Sequence, residues 1–216
     1  SSYAVTTTGS ASQTFSANVE TTGNQTYTAA GGIVTSGART FDSSSGTVNF
    51  ASALSGNNNV TVTGNADIDG AITDIAVLSI SGTSNIGADI TTSGTQTYTG
   101  AVTLSANVTL TSSGDVITFS NTVNSDGSTR NLTIATGGNS TEINFDGVVG
   151  GSAAVGAITI TGALDLNAPI ISATSLSVSG VSNLGANVTT SGTQTYLAAT
   201  TLSGGARTLA GSTIQT

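Results

Sequence analysis

"SISGTSNIGADITTSGTQTY" runs from Ser79 to Tyr98, and "SVSGVSNLGANVTTSGTQTY" runs from Ser177 to Tyr196. The two stretches agree at 15 of 20 positions, and the five differences are Ile/Val twice, Ile/Leu, Thr/Val and Asp/Asn. Each exchange nearly preserves side-chain shape, as expected of copies that diverged inside a packed or ladder-forming environment. A worn copy of the closing phrase, "ETTGNQTY", stands at Glu20 to Tyr27. Tyr98 lies 71 residues after Tyr27 (98 − 27) and Tyr196 lies 98 after Tyr98 (196 − 98), so the spacing changes by 27 while the phrase survives. A compact sandwich does not easily lose such a piece from its middle. A solenoid does, because each coil touches only its neighbours and a coil-sized deletion leaves the stack continuous.

Other phrases recur in the same way: "SANV" at Ser16 and Ser105, "GARTF" at Gly37 against "GARTL" at Gly205, and "TFDSSSGTVNF" (Thr40 to Phe50) against "TLTSSGDVITF" (Thr109 to Phe119). Within them apolar residues stand two apart, as in Val60/Val62, Leu78/Ile80, Val108/Leu110, Ile158/Ile160 and Leu176/Val178. That period of two, with Thr or Ser between, is a strand with one buried face. Gly, Asn and Ser interrupt it every few residues and supply the corners. No stretch carries a helical stripe. The expectation is an all-β, right-handed parallel β-helix over residues 1–216, with imperfect repeats around 16–87, 88–185 and 186–216. Coils of about 18 to 24 residues predict about nine to eleven rungs spaced ~4.8 Å apart, a rod on the order of 50 Å long. Leu, Ile, Val and Phe are expected inside, with Thr, Ser and Asn outside. Tandem immunoglobulin-like sandwiches are the competing architecture, since such domains run to about 100 residues. The short strands and the lack of Trp and Cys count against them.

Composition narrows the function. Charged residues make up 6% of the chain against roughly 25% in typical domains. The net charge is −8, and the basic residues are Arg39, Arg130 and Arg207 alone, too scattered to form a patch. Nucleic-acid or anionic-membrane binding, which needs clustered cations, is disfavoured. With no His and no Cys, the usual nucleophile triads and the common zinc sites are unavailable. No phosphate-binding or dinucleotide fingerprint occurs. The reading is a non-enzyme without cofactor, and it assigns no catalytic, cofactor-binding or metal-ligating residue.

Weaker signals remain. "ADIDG" places Asp67 and Asp69 two apart. They read as solvated corner residues, with a calcium site or a paired-carboxylate glycosidase as the sharper alternatives. Asp115 and Asp126 sit in turn phrases, where Asp bonds to nearby backbone. Each recurring Tyr is expected at one corner or face, capping the core with its hydroxyl at the surface; the alternative is an aromatic that stacks on sugar. Thr61/Thr63, Thr109/Thr111 and Thr159/Thr161 form Thr-x-Thr triplets of the kind that bind ice when they line one face. Their spacing of 48 and 50 residues (109 − 61, 159 − 109) suggests that intervening coils break the array. Asn-x-Thr sequons at Asn24, Asn59, Asn107, Asn131 and Asn187 are expected by chance in a chain this rich in Asn and Thr.

The run "GTQTYTGAVTLSANVTLTSSGDVITFSNTVNSDGSTRNLTIATGG", with "GVVGGSAAVGAITITGALDLN" after it, resembles the repeats of large secreted bacterial surface proteins of the filamentous-haemagglutinin-like and autotransporter-like kind. The resemblance implies a right-handed β-helix, export across the outer membrane to the cell surface, and an adhesive or matrix role, with host or matrix glycans as possible partners. The resulting expectation is a structural segment: an adhesin stalk, surface fibre or sheath. A polysaccharide-acting or carbohydrate-binding β-helix and an ice-binding solenoid are the rivals. The opening "SSYAVTTTGSASQTF" and closing "GGARTLAGSTIQT" read as ordinary coil without caps, so the chain reads as part of something longer. Both ends are expected to continue into further coils of the same chain or of identical copies, burying residues such as Phe15 and Leu209.

Overall fold

The computed structural model describes residues 4–138 and 141–216, and every regular element within them is a β-strand. The chain winds over three faces. Leu78–Ile80 lies on the first, Ser84–Ile86 on the second and Ile90–Thr92 on the third. Gln96–Tyr98 then returns to the first face and pairs in parallel register on Leu78–Ile80. One face therefore takes six residues (84 − 78, 90 − 84, 96 − 90) and one coil takes 18. Three-residue strands suffice because each places two side chains inward and one outward, and the corner residues turn the chain.

Successive partners on the first face give the coil lengths. They are 18 from Val60 to Leu78 and from Leu78 to Gln96, 21 to Ile117 and 26 to Ile143. They fall back to 21 at Leu164 and to 18 at Ser182 and Thr200. The stack has about 10 turns. The longest coil exceeds the expected range because residues are added at corners, between Val123–Ser125 and Arg130–Thr136 and again before Glu142–Phe145. First-face pairing resumes past these additions, with Ile117↔Ile143 and Phe119↔Phe145 still paired, while the pairing of Arg130–Thr136 on Val155–Thr161 shifts register between Arg130 and Leu132.

Inward side chains stack into ranks. On the first face Val62, Ile80, Tyr98, Phe119, Phe145, Leu166, Leu184 and Leu202 follow one another in register. Tyr98, Phe119 and Phe145 lie ring on ring, with centroids 5.2 and 5.0 Å apart. Phe15, Tyr27, Phe41 and Phe50 instead meet mostly edge to face around the first coils. The apolar residues are inside as expected. The interior also holds polar side chains that the alternation did not assign there, among them Gln25, Gln96, Gln194, Ser84 and Ser182.

The three copies of the tyrosine phrase do not share a face. Tyr27 is on the second face, in the rank Tyr27, Phe50, Ile68, Ile86. Tyr98 is on the first, and Tyr196, paired through Val178 to Ile160, is on the third. From Tyr27 the chain makes three coils to Ile86, then advances two faces through Thr92 to Tyr98. From Tyr98 it makes four coils, through Phe119, Phe145 and Leu166 to Leu184, then two faces through Thr190 to Tyr196. The uneven spacing is thus one whole coil. The expectation of a single corner or face fails because a six-residue face, not the full coil, is the structural unit.

Candidate functional site

Each copy of the phrase builds the same buried network. The side-chain amide of Gln96 donates to Thr92 Oγ1 at 3.2 Å and to Thr111 O, on the next coil, at 2.8 Å. The Tyr98 hydroxyl donates to Gln96 Oε1 at 2.9 Å, and Thr92 Oγ1 donates to Gly94 O at 2.6 Å. Gln25 repeats this with Thr21, Asp42 O and Tyr27, and Gln194 repeats it with Thr190, Ala210 O and Tyr196. Gly94 and Gly192 make the corner possible, since a Cβ there would stand 2.8 Å from Ala76 O and 2.7 Å from Thr174 O.

The tyrosines are therefore not surface caps. Tyr27, Tyr98 and Tyr196 are at most 1% exposed, and their hydroxyls point into the core at a glutamine. Burial raises all three hydroxyl pKa values, that of Tyr196 to about 12. No face of these rings is open to stack on a sugar. A lone buried Gln would be costly, but here every polar atom has a partner, so the network ties one coil to the next and to its own corner.

Asparagines perform a second tie. The Oδ1 atoms of Asn24, Asn107, Asn131 and Asn187 accept the backbone N–H of Thr47, Asn131, Ala157 and Thr208, each one coil further on. The Asn of four of the five sequons is thus an inter-coil tie, made from a corner by Asn24, Asn107 and Asn187 and from within Arg130–Thr136 by Asn131. Asn18 and Asn65 make the same tie to Thr40 and Thr83 outside any sequon, so the tie accounts for the Asn and not for the Asn-x-Thr pattern.

Asp67 lies within Val60–Ile68 on the outward side of the second face, not at a corner. Its Oδ2 accepts from Asn49 Nδ2 at 2.9 Å and its Oδ1 from Asn85 Nδ2 at 2.8 Å, forming an Asn–Asp–Asn ladder across three coils. Asp69 is exposed just past the strand and shares the Asn49 amide at 3.2 Å. On the first face Asp165 accepts from Asn183 on the next coil at 2.8 Å and from Asn167 on its own coil at 3.2 Å. These carboxylates accept hydrogen bonds from side-chain amides along the sheet. No group of three or more His, Cys, Asp or Glu occurs among the described residues that could hold a metal ion. Asp115 and Asp126 act in their turns as expected, accepting from the backbone N–H of Val116 and Ser128. Asp126 also pairs with Arg130 at 2.7 Å, which lowers its carboxyl pKa and raises that of the guanidinium.

The Thr triplets are more continuous than their spacing suggests. Thr133 stands in register between Thr109 and Thr159 on the third face, so the intervening coil extends the row. On the first face Thr61–Thr63, Ser79–Ser81, Thr97–Thr99 and Thr118–Ser120 lie on four successive coils, each with its central residue inward and its hydroxyls outward. Neither the stacked rows nor the glutamine networks could be read from residue spacing, because both depend on partners one coil away.

No family model matches the chain, and no match is found among curated proteins or solved structures.

Proposed function

We propose that this chain is a non-catalytic structural segment, a stalk or fibre section of a large protein on the bacterial cell surface or secreted from it. The observation that carries this reading is where the recurring motifs spend their polar atoms. The buried glutamine amides, the corner asparagines and the Asn49–Asp67–Asn85 ladder each bond one coil to the next. A molecule whose repeated chemistry serves its own stacking is suited to bearing length. The resemblance to haemagglutinin-like repeats points to the same role and to an extracellular site. Low charge and the absence of Lys, which removes most trypsin sites, also suit a chain outside the cell.

Partners follow from the terminal coils. Val5, Phe15 and Val19 at one end, and Leu202, Leu209 and Ile214 at the other, put partly covered or exposed apolar residues on all three faces. Their strand edges can accept further coils of the same chain or identical copies. Light scattering on the purified chain should show particle size rising with concentration, and Leu202→Asp should reduce that growth. A wild-type monomer at every concentration would count against stacking. A panel of soluble polysaccharides tests the non-catalytic reading: turnover that Asp67→Asn abolishes would overturn it.

A further inference from the structure

The outward hydroxyls of the first face have a regularity that coil stacking does not require. Four consecutive coils carry the patterns TVT, SIS, TYT and TFS at Thr61–Thr63, Ser79–Ser81, Thr97–Thr99 and Thr118–Ser120, with Ser81, Thr99 and Ser120 just past their strands. They pair without a register shift: Val62↔Ile80, Ile80↔Tyr98, Tyr98↔Phe119. The hydroxyls form two parallel rows, separated by ~4.8 Å from coil to coil and by roughly 6.6 Å along each strand. Among these eight residues, the described structure engages only the Ser81 hydroxyl, which accepts the Gly64 N–H at 3.0 Å.

We propose that this patch binds the surface of ice. A Ser or Thr hydroxyl is one donor and two acceptors, so a rigid lattice of them matches the bonding capacity of ordered water. The patch carries no charge; the nearest charged outward residues in the same ranks are Asp42 before it and Asp146 beyond it.

Other occupants fit less well. Protein and glycan partners are gripped by aromatic or large apolar anchors. Among the described residues the exposed large hydrophobics, Ile171, Val181, Leu197, Leu202 and Ile214, all lie away from these strands. The third face holds a less regular version of the rows: Ala135 interrupts one between Thr111 and Thr161, and exposed Leu197 stands where the first face has Thr99.

The test is partition of the purified 216-residue chain into a slowly grown ice front, with inhibition of ice recrystallisation as a second readout. The wild-type chain should enter the ice. Thr97→Tyr or Thr97→Lys, in the middle of the patch, should reduce uptake roughly tenfold. Thr159→Tyr, on the third face, should leave uptake unchanged. Circular dichroism would establish that each variant is folded. Exclusion of the wild-type chain from ice would overturn the proposal. So would equal uptake by Thr97→Tyr, or binding to crystalline cellulose or chitin without any effect on ice.

Discussion

Gln96 is the side chain on which the corner network turns, and its worth can be measured. Tyr98→Phe keeps the ring in its stack but leaves Gln96 Oε1 buried without the hydroxyl that fills it. Such an orphaned buried acceptor costs about 1–3 kcal/mol. At this chain length that should lower the melting temperature by roughly 2–12 °C. An unchanged melting temperature would mean that the network adds nothing to stability. Alkali tests the same groups. The buried tyrosines hold their protons to higher pH than the unfolded chain does, Tyr196 to about 12 against a free value of 10.0. Their contribution is intact below pH 10.0 and is lost as pH rises toward about 12, because only the unfolded state then releases protons. Urea midpoints should therefore be level up to about pH 10 and fall above it; a midpoint that stays level through pH 12 would contradict this. The phrase containing Gln96 was conspicuous in the sequence, yet its role was not legible there. A glutamine looks like a surface residue until its partners are known, and Thr111 is fifteen residues away (111 − 96) on another strand.

At the scale of the strand, alternation was enough. Val60/Val62 and Leu78/Ile80 proclaim one buried side, and the structure places each pair inward. What alternation omits is which face a strand occupies, since strands on all three faces share the same inward pattern and only the accumulated count, corner additions included, decides. The coil is nonetheless the natural unit of deletion. Removing residues 60–77 joins Asn59 to Leu78 and lets Arg39 and Phe41 pair with Leu78 and Ile80 in place of Val60 and Val62. The shortened chain should keep the β-sheet circular dichroism spectrum and melt cooperatively, because solenoid stability is close to a sum over neighbouring repeats. Removing only Val60–Ile68 withdraws two faces while leaving the third, Ile72–Ile75, and should broaden or abolish the transition. Equal melting of both deletions would refute the coil as the unit.

For the whole molecule, ends and flanks matter separately. The terminal coils bear on whether copies add end to end, which concentration-dependent size will decide. The first face bears on ice, which uptake into a growing front will decide. Neither outcome determines the other, since Leu202 and Thr97 lie in different coils. The placement of the tyrosine phrase on the second, first and third faces in turn has a consequence for how such a chain changes length. An unequal crossover between the copies ending at Tyr98 and Tyr196 would excise residues 99–196 and splice two matching corners. Everything past the splice would dock one face over: Thr200–Leu202 would take the position that Val102–Leu104 holds on the second face. Growth and shrinkage by recombination are thereby geared to rotation, as in a screw. A lineage that lengthens this rod also turns whatever its tip carries by a third of a revolution, and three such events bring the tip back to its original heading.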